Sequence, residues 1–357
     1  MTLIKLGLFL LTVLFVAILQ LVHLPAATLI GSICAAIVVS VVANAETKLP
    51  KILFFSAQSI VGCMIARIFT MTMLASMVNN WKLVLFSSVS MIICGFALGW
   101  VMTVRRIFPG STAVWGSSPG AATAMVIISE YYGADTRMVA FMQYTRVLIV
   151  ALAASILGMF FGVSHTENVP LLQYYFPTFD GFNLAVTIAF AAICVVLARL
   201  TKISGGPLVI SMFLGAMLNN IGVLSIELPQ WLLTICYVII GWNIGLRFTR
   251  TILAHALHVL PQVLLSVLVL LSLCGIIMLI MVHMGVDPLT AYLAASPGGA
   301  DSVAIISASI DVDMAFIMSV QYSRFLLIMI IGPHVAKAMG AYFLKREAAN
   351  SAAANKS

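Results

Sequence analysis

The chain has 357 residues, 62% of them hydrophobic and 8% charged, with a mean hydropathy of +1.15. A water-soluble domain of this length carries about 25% charged residues, so this chain would leave bare apolar surface in water and takes lipid as its solvent. The net charge of +7 does not point to nucleic acid: the basic residues sit in short segments between apolar runs, without a Lys/Arg-rich stretch or a helix-turn-helix pattern, and the polar segments are too short for a DNA-binding domain.

From the N-terminus, Lys5 and the apolar run behind it resemble a secretion signal. The run continues to about Val22 without a small-residue cleavage site, which makes it a first span. Apolar runs near 4–23, 25–44, 52–71, 82–104, 138–163, 182–200, 207–225, 231–250, 261–282 and 314–338 are long enough to cross a bilayer as helices. Two further segments, 108–134 and 286–311, are interrupted by Pro and Gly and read as full spans or as re-entrant loops. All six cysteines (Cys34, Cys63, Cys94, Cys194, Cys236, Cys274) fall inside apolar runs. None has a C-x-x-C neighbour or a His at ligand spacing, so they read as small buried apolar residues. His255 and His258 lack a third metal ligand and read as a solvated face. The polar tail from Lys345 onward is expected to be disordered.

The distribution of basic residues arbitrates between the two readings of the interrupted segments. If both re-enter and the N-terminus lies inside, the inner segments hold Lys5, Lys48, Lys51, Arg105, Arg106, Arg137, Arg199, Lys202, Arg247, Arg250, Lys337, Lys345, Arg346 and Lys356. That is fourteen of the eighteen basic residues. The connection 164–181, with His165, Glu167 and Asp180 but no Lys or Arg, then falls outside. The expected fold is an all-α membrane protein of about ten transmembrane helices plus two Pro/Gly-broken re-entrant segments. The expected location is a bacterial inner membrane, crossed many times, with both termini cytoplasmic.

Residues 118–148 align with 296–326 at a constant offset of 178 and without gaps. Twelve of the 31 pairs are identical, among them Ser118/Ser296, Pro119/Pro297, Gly120/Gly298, Asp135/Asp313, Gln143/Gln321, Tyr144/Tyr322 and Arg146/Arg324. Apolar composition does not produce S-P-G, an Asp and Q-Y-x-R in one register. A weaker match at offset 179 joins 49–70 to 228–249, through Leu49-Pro50/Leu228-Pro229, Gly62/Gly241 and Phe69-Thr70/Phe248-Thr249. The chain is a duplication: residues 1–165 form a first membrane repeat, 166–340 a second and 341–357 a polar cytoplasmic tail. Five full spans per half is an odd number, so the repeats are inverted and their broken segments enter from opposite faces. Such a pair is a sequence-level pointer to a transporter's binding site.

Ser118-Pro119-Gly120 and Ser296-Pro297-Gly298 read locally as helix starts, with Ser as N-cap and Pro at the first helical position. A helix N-terminus at membrane depth suits an anion; a tight capped turn that binds nothing is the other reading. Gly120, Gly298 and Gly299 permit close backbone approach. Arg146 and Arg324 stand deep in their spans, where an Arg costs about 2.5–3.5 kcal/mol on insertion scales. Gln143 and Gln321 lie three residues earlier, on the same helix face. Asp301, Glu130, Asp135 and Asp313 are candidate acidic partners. The arginines either lock the hairpin to the helix through a structural Arg–carboxylate or Arg–carbonyl bond, or bind a substrate carboxylate or orient the loop around it. Asp301, opposite Thr123, makes the loops unequal: it binds Na⁺ or a proton as a coupling ion, or it pairs with Arg324. Asn219, Asn220 and Asn243 are expected to hydrogen-bond between helices, and Gly158/Gly162 and Gly241/Gly245 to mark close packing. With no nucleophile–base pair, metal cluster or cofactor fingerprint, an enzyme is not expected.

At W-G-S-S-P-G-A-A-T-A-M-V (115–126), Y-G-A-D-T-R-M-V-A-F-M-Q-Y-T-R-V (132–147) and S-P-G-G-A-D-S-V-A-I-I (296–306) the chain resembles the Gram-negative AbrB family of duplicated membrane proteins, over nearly its whole length. The first loop departs from the pattern with P-G-A in place of P-G-G. Family members are labelled regulators, through an implied effect on gene expression, or ammonia monooxygenases; nothing in this chain supports an oxygenase metal site. The small DNA-binding protein of the same name is unrelated. The resemblance implies an architecture similar to inverted-repeat transporters of the cation-antiporter and bile-acid-symporter type, an analogy of fold alone. The expectation is a secondary transporter of a small anionic metabolite, working by alternating access. The alternative is an integral membrane regulator with an indirect effect on transcription. The partners expected are a small-molecule substrate, membrane lipid and further copies of the chain, not nucleic acid. No cofactor is expected beyond a coupling Na⁺ or H⁺.

Overall fold

The computed structural model describes residues 2–21, 27–43, 49–108, 110–120, 122–160, 179–201, 205–298, 303 and 312–354. Among the described residues there are fourteen helices and no strand. They are α1 (Thr2–Leu21), α2 (Ala27–Ala43), α3 (Lys51–Ala66), α4 (Met71–Asn79), α5 (Trp81–Val104), α6 (Gly110–Ser117) and α7 (Ala122–Tyr131). Then come α8 (Thr136–Phe160), α9 (Gly181–Thr201), α10 (Gly206–Asn220), α11 (Gln230–Gly245), α12 (Arg250–His283), α13 (Pro288–Ala295) and α14 (Met314–Ala354).

Four stretches, Trp81–Val104, Gly181–Thr201, Arg250–His283 and Met314–Met339, are long and apolar enough to cross a bilayer individually; the pair Lys51–Ala66 and Met71–Asn79 makes a fifth if it is one bent span. Apolar helices α2, α10 and α11 have 17, 15 and 16 residues, near or below the usual lower limit of about 17. The last helix runs to Ala354, through part of the tail expected to be disordered. Extending an existing helix avoids the nucleation penalty, and Ala, Lys and Glu are good helix formers.

The chain divides into two compact units, each drawn from both sequence repeats. The first comprises Met1–Leu74 and His165–Ala254, the second Ala75–Ser164 and His255–Ser357.

In the first unit the duplication is visible as a repeated contact. A Cβ placed on Gly62 of α3 would strike the Ser211 hydroxyl and the Leu208 carbonyl of α10. A Cβ on Gly241 of α11 would strike the Ser32 hydroxyl of α2, with the Leu29 carbonyl 3.0 Å away. All three pairs, Gly62/Gly241, Ser32/Ser211 and Leu29/Leu208, stand at offset 179. Each repeat therefore supplies the glycine for one crossing and the serine for the other. Gly245 adds to the second crossing, where a Cβ would meet Ala36 at 2.6 Å, as the small-residue spacing predicts. Gly158 has no described side-chain surroundings and Gly162 lies outside the described residues. Helix-end carbonyls are tied in the same crosswise manner: Asn220 Nδ2 donates to Phe69 O (2.5 Å) and Ser40 Oγ to Phe248 O (2.8 Å). Asn219 and Asn243 instead accept locally, from Ile226 N–H and the Arg247 side chain.

In the second unit the segment 110–131 is a hairpin of two short helices, α6 and α7. The Asp135 N–H, just past α7, donates to the Thr112 hydroxyl near the start of α6 (3.0 Å). Trp115 stacks on Tyr132 with ring centroids 5.5 Å apart. Eight and ten residues of helix running straight through would separate those ends by about 27 Å. The segment folds back on itself. Residues 299–302 and 304–311 of the second broken segment lie outside the described residues.

Candidate functional site

The second unit gathers both Ser-Pro-Gly copies and both Gln–Arg pairs. Contrary to the local reading of its residues, the proline of Ser-Pro-Gly is not the first residue of a helix in either copy, and the serine closes the preceding one. Ser118 is tied to the last turn of α6, its N–H and its hydroxyl both donating to Val114 O (3.0 and 2.5 Å). Ser296 is the C-cap of α13, with φ −48° and ψ 131° and its N–H on Tyr292 O. The following proline is the cause. Its ring disfavours helical backbone in the residue before it, so the serine turns extended and the helix stops. Past the first break, α7 starts at Ala122, not at Pro119.

A helix that stops inside a packed unit leaves carbonyls without partners, and here Gln and Arg supply the donors. Gln143 Nε2 donates to Trp115 O (2.7 Å) and Ser118 O (3.0 Å). Arg146 donates through Nη1 to Ser118 O (2.7 Å), and through Nη2 to Gly120 O (3.3 Å) and Gln143 Oε1 (2.6 Å). The second copy repeats the glutamine bonds and the Ser–Arg bond at the same offset, while its arginine takes Ala295 O in place of the carbonyl that would match Gly120 O. Gln321 Nε2 donates to Leu293 O (2.9 Å) and Ser296 O (3.2 Å), and Arg324 to Ala295 O (3.3 Å), Ser296 O (3.0 Å) and Gln321 Oε1. Each long helix, α8 or α14, thus clamps the broken end of the short helix in its own repeat. The cations sit against the negative ends of the α6 and α13 dipoles, the favourable orientation.

Of the two kinds of structural partner expected from sequence, carboxylate or carbonyl, backbone carbonyls are the ones that hold both arginines among the described residues. Asp135 pairs instead with Arg137 (Oδ1 to Nε, 2.8 Å) and accepts the Arg137 N–H. Burial alone would raise the Asp135 carboxyl, but the Arg137 guanidinium and the N–H groups of Arg137 and Met138 hold it below the ordinary range. Asp313 accepts from Phe316 N–H at the start of α14. Asp301 and Gly299 lie outside the described residues.

Hydrogen bonds to a charged donor contribute about 1.5–3 kcal/mol each. Two per arginine offset an insertion cost of about 2.5–3.5 kcal/mol, so clamping alone accounts for a stable buried arginine. It does not account for what is left over. Arg146 is 2% exposed and Arg324 0%, yet among the described residues the Nε–H of each has no acceptor, nor has Trp115 Nε1–H. Among the described residues no carboxylate touches either.

The remaining predicted residues fall around these clamps. Thr123 on α7 is half-buried, with the Tyr144 hydroxyl 3.5 Å from its own. Pro119 is buried under α5: a Cβ on Gly95 would lie 2.5 Å from Pro119 Cδ, and one on Gly99 2.6 Å from Ser117 Oγ. Those two glycines went unread in the sequence, although Gly95 and Gly99 carry the same G-x-x-x-G spacing as Gly241 and Gly245. Gly298 does permit a close approach, since its Cβ would meet Val150 Cγ1 of α8 at 3.0 Å. Gly120 does not need its freedom for this reason: a Cβ there would meet only Met125, at 3.5 Å. Val150 belongs to the first repeat and Gly298 to the second, so the repeats interlock at the clamps. Beside Arg146, a narrow cleft between α5, α6, α8 and α12 is lined by Ser117, Met142, Ser266 and Leu270 among others. Its volume of about 10 Å³ accommodates about one water.

Comparison with known proteins places these features in a family. The family model described as "Transition state regulatory protein AbrB" matches residues 28–340, which takes in both clamps. The chain is 41% identical over 328 residues to "Putative regulator AbrB" of Escherichia coli K12, covering 92% of this chain and 94% of that protein. It is 24% identical over 237 residues to "Uncharacterized protein YhjN" of Bacillus subtilis 168, covering 62% of each.

Proposed function

The chain belongs to the AbrB family, and from that premise we propose that it is a secondary transporter of a small anionic metabolite in the bacterial inner membrane. The observation that carries this reading is the pair of buried arginines. Each is anchored on a broken helix end, each keeps one unused N–H, and no carboxylate among the described residues neutralises either. An anion supplies what both lack, an acceptor and a negative charge opposite a buried cation.

The reading keeps the topology drawn from the charges, with about ten spans, two re-entrant hairpins and both termini cytoplasmic. The fold-back of 110–131 supports it for the first hairpin. Broken helices in inverted repeats are the arrangement from which alternating access is built. Substrate binding in this scheme needs no covalent chemistry from the protein. Asp301, beside the second break in sequence, is the candidate for coupling to Na⁺ or a proton.

The test is flux. Purified protein in proteoliposomes should accumulate a small organic anion under a Na⁺ or proton gradient, and should lose that ability when Arg146 and Arg324 are both replaced by alanine. A gradient-independent blank across an anion panel would count against transport. The second reading, an integral membrane regulator, is favoured by the regulator names of the family model and of the E. coli relative. It requires a soluble partner on the cytoplasmic segments, which pull-down with the intact membrane protein would capture in place of any flux.

A further inference from the structure

Helix α5 carries a ridge of exposed apolar residues along its length. Trp81, Leu85, Val89, Ile93, Ala97 and Val101, one at every fourth position, are all exposed. Tryptophan marks both ends: Trp81 is 55% and Trp100 41% exposed. The helix rise sets these two positions about 28 Å apart, which matches a hydrocarbon thickness of about 30 Å. Exposed tryptophans at that spacing fit the two interfacial belts of a bilayer. The glycines of α5 are already used within the chain, Gly95 against Pro119 and Gly99 against Ser117, so the ridge has no glycine seam for a second copy.

The two ends differ in charge. Lys82 lies over its neighbour's ring, 5.8 Å from the Trp81 centroid. Beyond Trp100 come Arg105 and Arg106, both exposed, and neither side chain bonds to another described residue. Neither α5, the turn after it, nor α12, whose His255 stands edge-on to Phe108 at 6.2 Å, holds a carboxylate. Arg106 is also strained. It closes α5 at φ +57°, with its N–H on Thr103 O and the next N–H on Met102 O. Gly133, Gly222 and Gly285 close their helices with the same pair of bonds, also at positive φ, and Gly285 is the counterpart of Arg106 at offset 179. Glycine takes this conformation without steric cost and arginine does not. Folding alone would favour glycine at 106, so the side chain answers to something else.

We propose that the α5 ridge faces acyl chains and that Arg105 and Arg106 hold the phosphate of an anionic phospholipid, in the cytoplasmic leaflet of the proposed topology. The arginine fork suits a phosphate, and a negatively charged leaflet attracts basic residues just past a span. This rests on the membrane location in the reading above and not on transport.

The test is thermal unfolding of the full-length protein in neutral detergent, supplemented with phosphatidylglycerol, phosphatidylcholine or inorganic phosphate. Phosphatidylglycerol should raise the melting temperature by several degrees and the other two by much less. Arg105→Gln/Arg106→Gln should lose most of that gain. Arg106→Gly separates the site from the strain: it should melt higher than the unsubstituted protein in plain detergent, yet gain less from phosphatidylglycerol. Absence of a gain, an equal gain from phosphatidylcholine, or an unchanged gain in the double variant would each overturn the headgroup site. An equal gain from inorganic phosphate would overturn the lipid in favour of a free anion. In native membranes Trp100→Cys should give no dimer on mild oxidation; efficient cross-linking would put a second copy on the ridge and overturn its lipid contact. None of these outcomes depends on flux, so the site can fail while transport stands.

Discussion

The Asp135 N–H and the Thr112 hydroxyl meet at 3.0 Å although 23 residues separate them. The contact ties the exit of α7 to the entrance of α6, so chain entering at Gly110 returns to its own level before α8 begins. If the segment is re-entrant, as the proposed topology has it, its break is tolerated at membrane depth because protein, not lipid, surrounds it.

That relationship has a topological consequence. Arg106 precedes the hairpin and Gly133 follows it, and both are exposed. Arg106→Cys and Gly133→Cys should therefore react with a membrane-impermeant thiol reagent from the same face, the cytoplasmic one. Labelling of inside-out and right-side-out vesicles checks this; opposite faces for the two positions would make the segment a full span. Gly133 has φ +71°, so its replacement carries local strain of about 1 kcal/mol, small enough for the protein to fold.

Arg146→Ala removes donors from Ser118 O and Gly120 O and the partner of Gln143 Oε1. Gly120 O is left without its side-chain donor at about 1–3 kcal/mol, while Ser118 O keeps Gln143 Nε2, so the loss of stability should be roughly 1–3 kcal/mol, read from thermal unfolding through reaction of the buried cysteines with a fluorescent thiol dye. Arg146→Lys keeps the charge but not the fork that reaches two carbonyls and the glutamine together. It should recover part of the stability and little of the transport. Full recovery of both would mean that only the charge matters.

Asp135 gives the hairpin a weak dependence on acid. Its folded pKa lies below the ordinary value, so the stabilisation is complete above the unfolded pKa near 3.9 and is lost as pH falls through the folded value. The Asp135–Arg137 pair is 28% and 29% exposed, so the effect should not exceed about 1 kcal/mol. Asp135→Asn should flatten that part of the stability-against-pH curve below pH 4 and change nothing at pH 7 beyond the lost pair. An unchanged acid limb would remove Asp135 from the account.

The cooperation of Gln143 with Arg146 was legible in the sequence, because Q-x-x-R puts both on one face and the spacing recurs at 321 and 324. Their targets were not. Carbonyls were among the partners open to the arginines, but a helix-end carbonyl has no side-chain signature that says which one, and of the acidic candidates Asp135 has a nearer partner in Arg137. Ser-Pro-Gly misled for a related reason: Ser is a good N-cap, but a residue before Pro is also forced out of the helix, and inside the second unit the second effect prevails. Ser32 and Ser211 were readable at offset 179 yet weak alone, since one serine in an apolar run carries little information until its glycine is found on another helix.

Those serines make the most discriminating test of the duplication. Gly62→Ala and Gly241→Ala each push a methyl into a serine of the opposite repeat, and overpacking of this kind costs about 1–3 kcal/mol. If the hydroxyl is the obstacle, a second substitution should relieve it: Ser211→Ala for the first and Ser32→Ala for the second. Relief should be unequal. At Gly241 the nearest backbone atom, Leu29 O, stands 3.0 Å away, whereas at Gly62 the Leu208 carbonyl oxygen is itself in collision with the added carbon. A side chain can be trimmed and a carbonyl cannot. Gly241→Ala/Ser32→Ala should thus recover most of its lost melting temperature, and Gly62→Ala/Ser211→Ala only a minor part. Equal rescue in both would show that the two crossings are closer to symmetric than their backbones are placed.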